Sequence, residues 1–203
     1  MQNYSPKIKL TTRMSQEPTA LLLIDMQQDF VRRESPVRVA GAAATVPAIA
    51  ELLKHCRTAG IPVYHIIRSY DPDGSNVERT RRELFLKQPF IVRGTPGAKI
   101  IPELTPAPGE HILIKPRYSA FFQTGLDRIL REHGTDHLLI AGTQYPNCIR
   151  ATVTDALSLD YRVTLLTDCC SAQTPEIASA NIADLQNLGA RCITFEEWQK
   201  TRP

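Results

Sequence analysis

Short runs of apolar residues alternate along this chain with longer segments whose apolar residues recur every three or four positions. This alternation is typical of stacked βαβ units, in which each crossover brings the chain back to start the next strand in the same direction. Most of the runs are apolar at every position, as a sheet covered on both faces requires. We therefore predict a doubly wound, Rossmann-like α/β fold with a six-stranded parallel sheet flanked by helices. The predicted strands are Ala20–Ile24, Val63–Ile67, Ile112–Ile114, Leu138–Ala141, Val163–Leu166 and Cys192–Thr194.

The segments between the strands carry helix signals at their ends. The clearest case is the last long helix, which has Thr174 as N-cap, Pro175 at its first position and Gly189 just beyond its end. Residues Asp71–Gly109 lack a regular period because several Pro and Gly residues interrupt it, so we predict an excursion that forms a wall of the site. The predicted helices are Val46–Cys56, Leu126–Glu132, Ile149–Leu159 and Pro175–Leu188, with a short helix near Val77–Leu86 inside the excursion.

Composition narrows the classes of function. The 203 residues are 42% hydrophobic and carry a net charge of only +3, with no basic block, so neither a nucleic-acid partner nor an anionic membrane surface is expected. The longest apolar run, Ala20–Ile24, is far too short to span a membrane. Five cysteines without metal-ligand spacing predict reduced thiols and a cytoplasmic location, and the adjacent Cys169 and Cys170 are expected to be small buried side chains rather than a redox pair. We predict a mobile leader over residues 1–18 and one domain over residues 19–203.

Three reactive side chains follow predicted strands, at the sheet edge where ligands of open α/β folds bind. Asp25 follows the first strand, Lys115 follows the third, and Cys148 follows the fourth after a short turn and just before a helix. Alone, each has an ordinary structural role as a cap, a surface charge or a small core residue. Together they suit nucleophilic attack by sulfur, because a nearby cation and a helix N-terminus favour the thiolate. Asp25 would take the thiol proton and later deliver it to a leaving amine.

The sequence around these residues resembles the isochorismatase-like cysteine hydrolases, small amidases that include nicotinamidases, N-carbamoylsarcosine amidase, and ureidoacrylate and biuret hydrolases. The resemblance covers Thr19 to Trp198 and rests on LLIDMQQDF at residues 22–30, KPRYSAF at 115–121 and AGTQYPNC at 141–148. It implies the triad Asp25, Lys115 and Cys148, a cis peptide bond between Thr143 and Gln144, and an oxyanion hole formed by the N–H groups of Gln144 and Cys148. It also implies hydrolysis of a small amide or ureide through a thioester, and assembly as a homo-oligomer.

Departures from the family's patterns narrow the substrate. The resemblance implies, for nicotinamidases, an Asp-x-His metal motif after the second strand, whereas this chain reads RSYDPDG at residues 68–74. We therefore predict no catalytic metal and no cofactor, and read Asp71–Gly74 as a turn. True isochorismatases lack the cysteine and cleave a vinyl ether, so Cys148 argues against that branch. The alternatives left open are a nicotinamidase-type amidase and a catalytically silent binding or assembly module. Structural or surface roles are expected for His55, His65, His111, His133 and His137.

The KPRYSAF form of the second motif favours a carbamoyl or ureido acid as substrate. Arg68 and Arg117 could hold its carboxylate by a bidentate contact, although a surface or inter-subunit salt bridge is the more common role of an arginine. Phe30 either lines the pocket or packs beneath the first loop. Tyr145 either faces the substrate or packs beside the turn. Tyr118, within the second motif, completes the candidate substrate-binding set.

Overall fold

The computed structural model describes residues 18–31 and 34–201. Six strands form one sheet in which every neighbouring pair is parallel, in the order β3-β2-β1-β4-β5-β6. This confirms the doubly wound fold, because the chain leaves β1 first toward one edge of the sheet and then returns to build the other. The strands are β1 (Thr19–Ile24), β2 (Val63–Ile67), β3 (His111–Ile114), β4 (His137–Thr143), β5 (Arg162–Ser171) and β6 (Arg191–Ile193).

Seven α-helices flank this sheet within the described residues. They are α1 (Gln28–Val31), α2 (Ala42–Thr58), α3 (Arg79–Lys87), α4 (Leu126–Glu132), α5 (Arg150–Ser158), α6 (Pro175–Asn187) and α7 (Phe195–Lys200). A single π-helical turn, Tyr145–Ile149, leads into α5, and short 3₁₀ turns lie at Pro96–Ala98 and Pro102–Leu104.

Strand β1 lies at the centre of the sheet and is buried along its whole length. Its side chains alternate between two cores: Leu22 contributes to the cluster beneath α4, α5 and α6, and Leu21 to the cluster beneath α2 and α7. Between β1 and β4 the chain's direction of winding reverses. Ligands of doubly wound sheets bind outside the carboxyl ends of the strands at this reversal. The functional site is therefore expected at the residues that follow β1 and β4.

The element bounds differ from those predicted where local chemistry overrides the apolar pattern. The strand predicted over Cys192–Thr194 ends at Ile193, because the Thr194 side chain caps α7 in a capping box with Glu197. Helix α2 begins before the predicted start and contains Pro47. Strand β3 lies at an edge, and its Ile112 is 55% exposed, so this strand lacks the cover that most of the other strands have.

Residues 71–109 form the predicted excursion, with α3 as its one α-helix. An aromatic cluster packs the excursion against the residue Tyr70, which follows β2. In it, Tyr70, Phe85 and Phe90 meet edge to face at centroid distances of 5.6–5.7 Å. Phe30 of α1 packs in the same cluster. Such edge-to-face packing fixes aromatic rings against one another, so the excursion is anchored beside the end of β1.

The cysteine and membrane predictions fall mostly on described residues. Cys148, Cys169, Cys170 and Cys192 are free thiols, and Cys169 and Cys170 are buried side chains that belong to the two different cores, as neighbours on a strand do. No helix among residues 18–31 and 34–201 is long and apolar enough to cross a membrane. The leader predicted over residues 1–18 lies outside the described residues, apart from Pro18.

Candidate active site

Asp25 is placed by the end of β1. Its N–H donates to the carbonyl oxygen of Ile66 at 2.8 Å, and its φ of 52° turns the chain out of the sheet into the loop before α1. The side chain is completely buried. Its Oδ1 has no hydrogen-bond partner among the described residues, whereas Oδ2 is paired. One oxygen of a buried carboxylate is therefore left to accept a proton or a hydrogen bond at this edge of the sheet.

Lys115 reaches the same point from β3. Its N–H donates to the Ile67 carbonyl oxygen at 2.9 Å, which extends the sheet by one residue and directs the side chain across the end of β2. Its Nζ donates to Asp25 Oδ2 at 2.7 Å, to the Arg117 carbonyl oxygen at 3.3 Å and to Cys148 Sγ at 3.4 Å. The ammonium is fully buried and joins the other two reactive groups, so the three predicted residues do meet.

Cys148 is positioned by the turn after β4. Gly142 has a φ of 120°, and a Cβ there would overlap the backbone of Ile24, so only glycine lets β4 approach β1 this closely. The Thr143–Gln144 peptide bond is cis, as the family resemblance implies. The π-helical turn follows, in which the N–H groups of Asn147 and Ile149 both donate to the Gln144 carbonyl oxygen. The thiol therefore lies in the first turns of a continuous helix rather than before it.

The thiol's electrostatic surroundings differ from the prediction that its thiolate is favoured. Burial and then the Asp25 carboxylate raise the pKa of Cys148, and these effects outweigh Lys115 and Arg68, which lower it. The cations are present as predicted, but removal from water and the adjacent anion oppose ionisation more strongly. The resting site therefore holds a protonated thiol beside a carboxylate that can receive its proton.

Arg68, which follows β2, contradicts the expectation of a surface or inter-subunit salt bridge. Its side chain is completely buried, and Nη1 donates to Tyr70 Oη at 2.9 Å and to Glu78 Oε1. The Gln27 side chain holds its backbone by accepting from the Arg68 N–H and donating to the Arg68 carbonyl oxygen. Burial lowers the pKa of Arg68, but attraction by Cys148, Asp25 and Tyr70 outweighs burial and raises it. Arg68 therefore acts electrostatically on the reactive cluster.

The second motif lines this region with one aromatic ring. The Arg68 guanidinium carbon lies 5.0 Å from the centroid of the Tyr118 ring, and that of Arg81 lies 5.5 Å from it. Arg117 Nη1 donates to the carbonyl oxygens of Asn76 and Pro116, so this guanidinium ties the second motif to the excursion. The sequence reading missed Arg81 and Glu78, because they lie in a segment without a regular period, where no spacing marks them.

Two predicted substrate-binding residues are structural. Tyr145 is 1% exposed, packs in the core beneath α5 and donates from its Oη to the Thr167 carbonyl oxygen at 3.2 Å. Of the two interpretations of Tyr145, these contacts favour packing beside the turn, because the π-helical turn directs its side chain into the core. Phe30 is buried in the aromatic cluster of the excursion, which supports packing beneath the first loop over lining the pocket.

The metal set that the resemblance implies for nicotinamidases does not fit this chain. Asp71 is ion-paired with Arg93 at 2.7 Å, and Asp73 accepts from the Ser75 N–H, as expected of a turn. Among the described residues there is no group of three or more His, Cys, Asp or Glu side chains that could hold a metal ion. No metal is assigned a role in the chemistry below.

Comparison with known proteins agrees with this geometry. Residues 19–197 match the model of the isochorismatase domain. The chain is 40% identical over 186 residues to a probable inactive nicotinamidase of Arabidopsis thaliana, covering 90% of this chain and 95% of that protein. It is 31% identical over 185 residues to a ureidoacrylate amidohydrolase of Pseudomonas syringae pv. syringae, covering 82% and 76%. The crystal structure of an isochorismatase family protein from Desulfovibrio vulgaris is 48% identical with a TM-score of 0.88, covering 91% and 97%. With the domain model spanning nearly all of the described residues, the chain belongs to the isochorismatase family of hydrolases.

Proposed function

We propose that this chain is a cysteine-dependent amidohydrolase that cleaves a C–N bond of a small amide or ureide through a thioester, with a carbamoyl or ureido acid as the favoured substrate. The observation that carries the proposal is the position of Lys115 Nζ, which lies 2.7 Å from Asp25 Oδ2 and 3.4 Å from Cys148 Sγ. All three side chains are buried, so the contact differs from a solvent-exposed ion pair on the protein surface. A base, a cation and a nucleophile in mutual contact are the parts that thiol catalysis needs.

In the first half of the reaction, the Asp25 carboxylate takes the thiol proton as Cys148 Sγ attacks the substrate carbonyl carbon. The raised pKa of the thiol makes this proton transfer part of the attack rather than a step completed beforehand. Lys115 stays within reach of both groups, so its charge stabilises whichever of them is anionic. The tetrahedral intermediate then collapses, the C–N bond breaks, and protonated Asp25 delivers the proton to the leaving nitrogen.

The oxyanion of that intermediate needs donors that are in place before the reaction. We assign this role to the N–H groups of Gln144 and Cys148, as the family resemblance implies. Supporting this, the Gln144 carbonyl oxygen accepts from two N–H groups of the π-helical turn, which fixes the peptide units on either side of the thiol. Removing one preplaced donor of this kind costs roughly 100- to 1,000-fold in kcat.

In the second half, water attacks the thioester carbonyl carbon and Asp25 takes a proton from it. The C–S bond breaks, the acid leaves, and the proton returns to Cys148 Sγ. Each cycle therefore consumes one water and returns Cys148 Sγ and Asp25 to the protonation states from which the cycle began.

A catalytically silent role is the second candidate, since the relative from Arabidopsis thaliana is described as a probable inactive nicotinamidase. The metal set that the resemblance implies for nicotinamidases has no counterpart among the described residues, so nicotinamide is not the favoured substrate, and activity on another amide is not affected by this difference. The intact contact among Asp25, Lys115 and Cys148 favours an active enzyme with a different substrate.

The test is release of ammonia or amine from nicotinamide, N-carbamoyl amino acids, a ureidoacrylate-like acid and biuret. Wild type, Cys148→Ala and the matched control Cys192→Ala are compared, because Cys192 is a free thiol on β6, at the far edge of the sheet. We expect release from a ureido or carbamoyl acid with wild type and the control, and none with Cys148→Ala. Substantial release by Cys148→Ala contradicts the assigned nucleophile, and release by no protein from any compound favours the silent role.

Assembly as a homo-oligomer and a cytoplasmic location stay predictions from the sequence. Light scattering on the purified protein measures its mass directly, and a mass near 22.7 kDa contradicts the predicted assembly.

A further inference from the structure

Only one of the three guanidinium nitrogens of Arg68 makes hydrogen bonds to other described residues. Nη1 is bonded to Tyr70 and Glu78, whereas Nε and Nη2 are buried and have no hydrogen-bond partner among the described residues. Nε–H and one N–H of Nη2 point in the same direction, along one edge of the planar group. This edge is the fork that matches the two oxygens of a carboxylate. The protein therefore holds Arg68 through Nη1 and leaves the donors of its bidentate edge without an acceptor among the described residues.

A purely structural arginine does not explain this arrangement. A buried donor without an acceptor costs free energy, and a guanidinium needed only to pair with Glu78 would gain by satisfying all of its donors. Gln27 fixes the Arg68 backbone from the loop that also carries Asp25. The open edge is thus held in a defined position relative to the catalytic carboxylate.

A second buried, unpartnered donor lies nearby. Arg81 Nη1 has no hydrogen-bond partner among the described residues, and the Arg81 guanidinium lies over the same Tyr118 ring as that of Arg68. Stacking on an aromatic ring holds a guanidinium in place without using its N–H groups, which remain available to a ligand. Tyr118 therefore orients both cations.

The charges of this group are unequal. The guanidinium groups of Arg68 and Arg81 and the ammonium of Lys115 outnumber the carboxyl groups of Asp25 and Glu78. Buried charge is costly unless compensated, so this group is complementary to an anionic ligand.

We propose that the Nε/Nη2 edge of Arg68, reinforced by Arg81, binds the carboxylate of the substrate and makes this enzyme specific for carbamoyl or ureido acids over neutral amides. This inference rests on the proposed function for the place of the scissile bond, but the carboxylate site itself does not depend on turnover. Glu78 and Tyr70 are positioning residues that hold Arg68, and Tyr118 holds both guanidinium groups.

The experiment is calorimetric binding to the full chain carrying Cys148→Ala, so that no ligand is consumed. The probes are N-carbamoylglycine, 3-ureidopropionate and 4-ureidobutyrate, each with its uncharged methyl ester. They place the carboxylate at three distances from the ureido carbonyl. We expect at least one acid to bind roughly 100-fold more tightly than its ester, since a bidentate charged contact is made only by the acid.

Three further substitutions in this background assign the site. Arg68→Lys keeps the charge for Glu78 but lacks the fork, and we expect it to weaken binding of the acid about 100-fold and of the ester less than threefold. Arg81→Gln should weaken acid binding about tenfold. Arg128→Gln is the charge-matched control, because Arg128 is exposed on α4 and paired with Glu132, and it should change neither affinity.

Thermal melts show which variants are folded, and if Arg68→Lys is not, Arg81→Gln decides. Acid and ester of equal affinity at every chain length overturn the proposal. It is also overturned if the folded Arg68 and Arg81 variants bind the acid as tightly as their parent. Arg68-dependent binding of an acid that wild type never hydrolyses supports the carboxylate site and contradicts the proposed function, so the two ideas fail separately.

Discussion

The buried ion pair between Lys115 and Asp25 allows a prediction about the free energy of unfolding that can be tested without an activity assay. Their side chains are 0% and 1% exposed and are joined at 2.7 Å. Lys115→Met keeps most of the side-chain volume but leaves the carboxylate buried and unpaired, which costs roughly 3–5 kcal/mol of unfolding free energy. For a chain of this size that corresponds to a fall in Tm of roughly 6–20 °C.

The double variant Asp25→Asn/Lys115→Met completes a thermodynamic cycle. Asparagine tolerates the φ of 52° at position 25, so the backbone should not change. With neither charge present, we expect the double variant to be more stable than Lys115→Met alone, although both are inactive. Urea unfolding at pH 8, followed by circular dichroism, gives the four free energies for wild type, the two single variants and the double variant. A Lys115→Met protein within about 1 kcal/mol of wild type at pH 8 would refute the argument from burial.

Three other predictions follow from single positions. Gly142→Ala should abolish activity and lower the Tm strongly, because the added Cβ would overlap the Ile24 backbone. The control is Gly109→Ala, which also has a positive φ but has open space around it. It should lower the free energy of unfolding by only about 1 kcal/mol, as measured by thermal unfolding. Burial opposes ionisation of Glu110, but hydrogen bonds from a guanidinium, a backbone N–H and an imidazole prevail and lower its pKa to about 2. The stability it contributes is therefore present above pH 4.5 and lost as the pH falls toward 2, so the difference in unfolding free energy between wild type and Glu110→Gln should shrink over that range. Because the pKa of Cys148 is raised, iodoacetamide should modify its thiol slowly at pH 7, and Asp25→Asn should accelerate this reaction. Mass spectrometry of the Cys148 peptide measures both rates. An unchanged rate in Asp25→Asn would contradict the effect of the carboxylate on the thiol.

Much of the fold and the meeting of Asp25, Lys115 and Cys148 could be predicted, because both depend on where the apolar strands begin and end. Parallel strands bring their carboxyl ends to one edge of the sheet, so the residues that follow β1, β3 and β4 are expected at the same edge, independently of the loop conformations. Asp25, Lys115 and Cys148 are such residues. The state of the thiol could not be predicted in this way, because it depends on a balance between burial, one carboxylate and two cations.

The substrate side of the site was less accessible to sequence reasoning. Arg68 could be named as a candidate, but its partner Glu78 lies ten residues along an excursion without a regular period. The role of Tyr145 stayed open between two interpretations, because no residue spacing marks the π-helical turn that directs its side chain into the core. Side chains in such segments are positioned by tertiary contacts, so their orientation follows from the folded structure and not from a local pattern.

The two halves of the site are therefore built in different ways, and this difference bears on how substrate and chemistry can vary. The sheet fixes the reactive atoms, since any shift of β1 against β4 meets the close contact at Gly142. The excursion supplies the proposed carboxylate site through Glu78 and Arg81, and none of its residues belongs to the six strands of the sheet; isolated β-bridges and side-chain contacts hold it beside the ends of β1 and β2. Substitutions in the excursion can change what is bound without moving the thiol. We therefore expect relatives with the same three residues but a different excursion to share the proposed thioester chemistry and act on other amides.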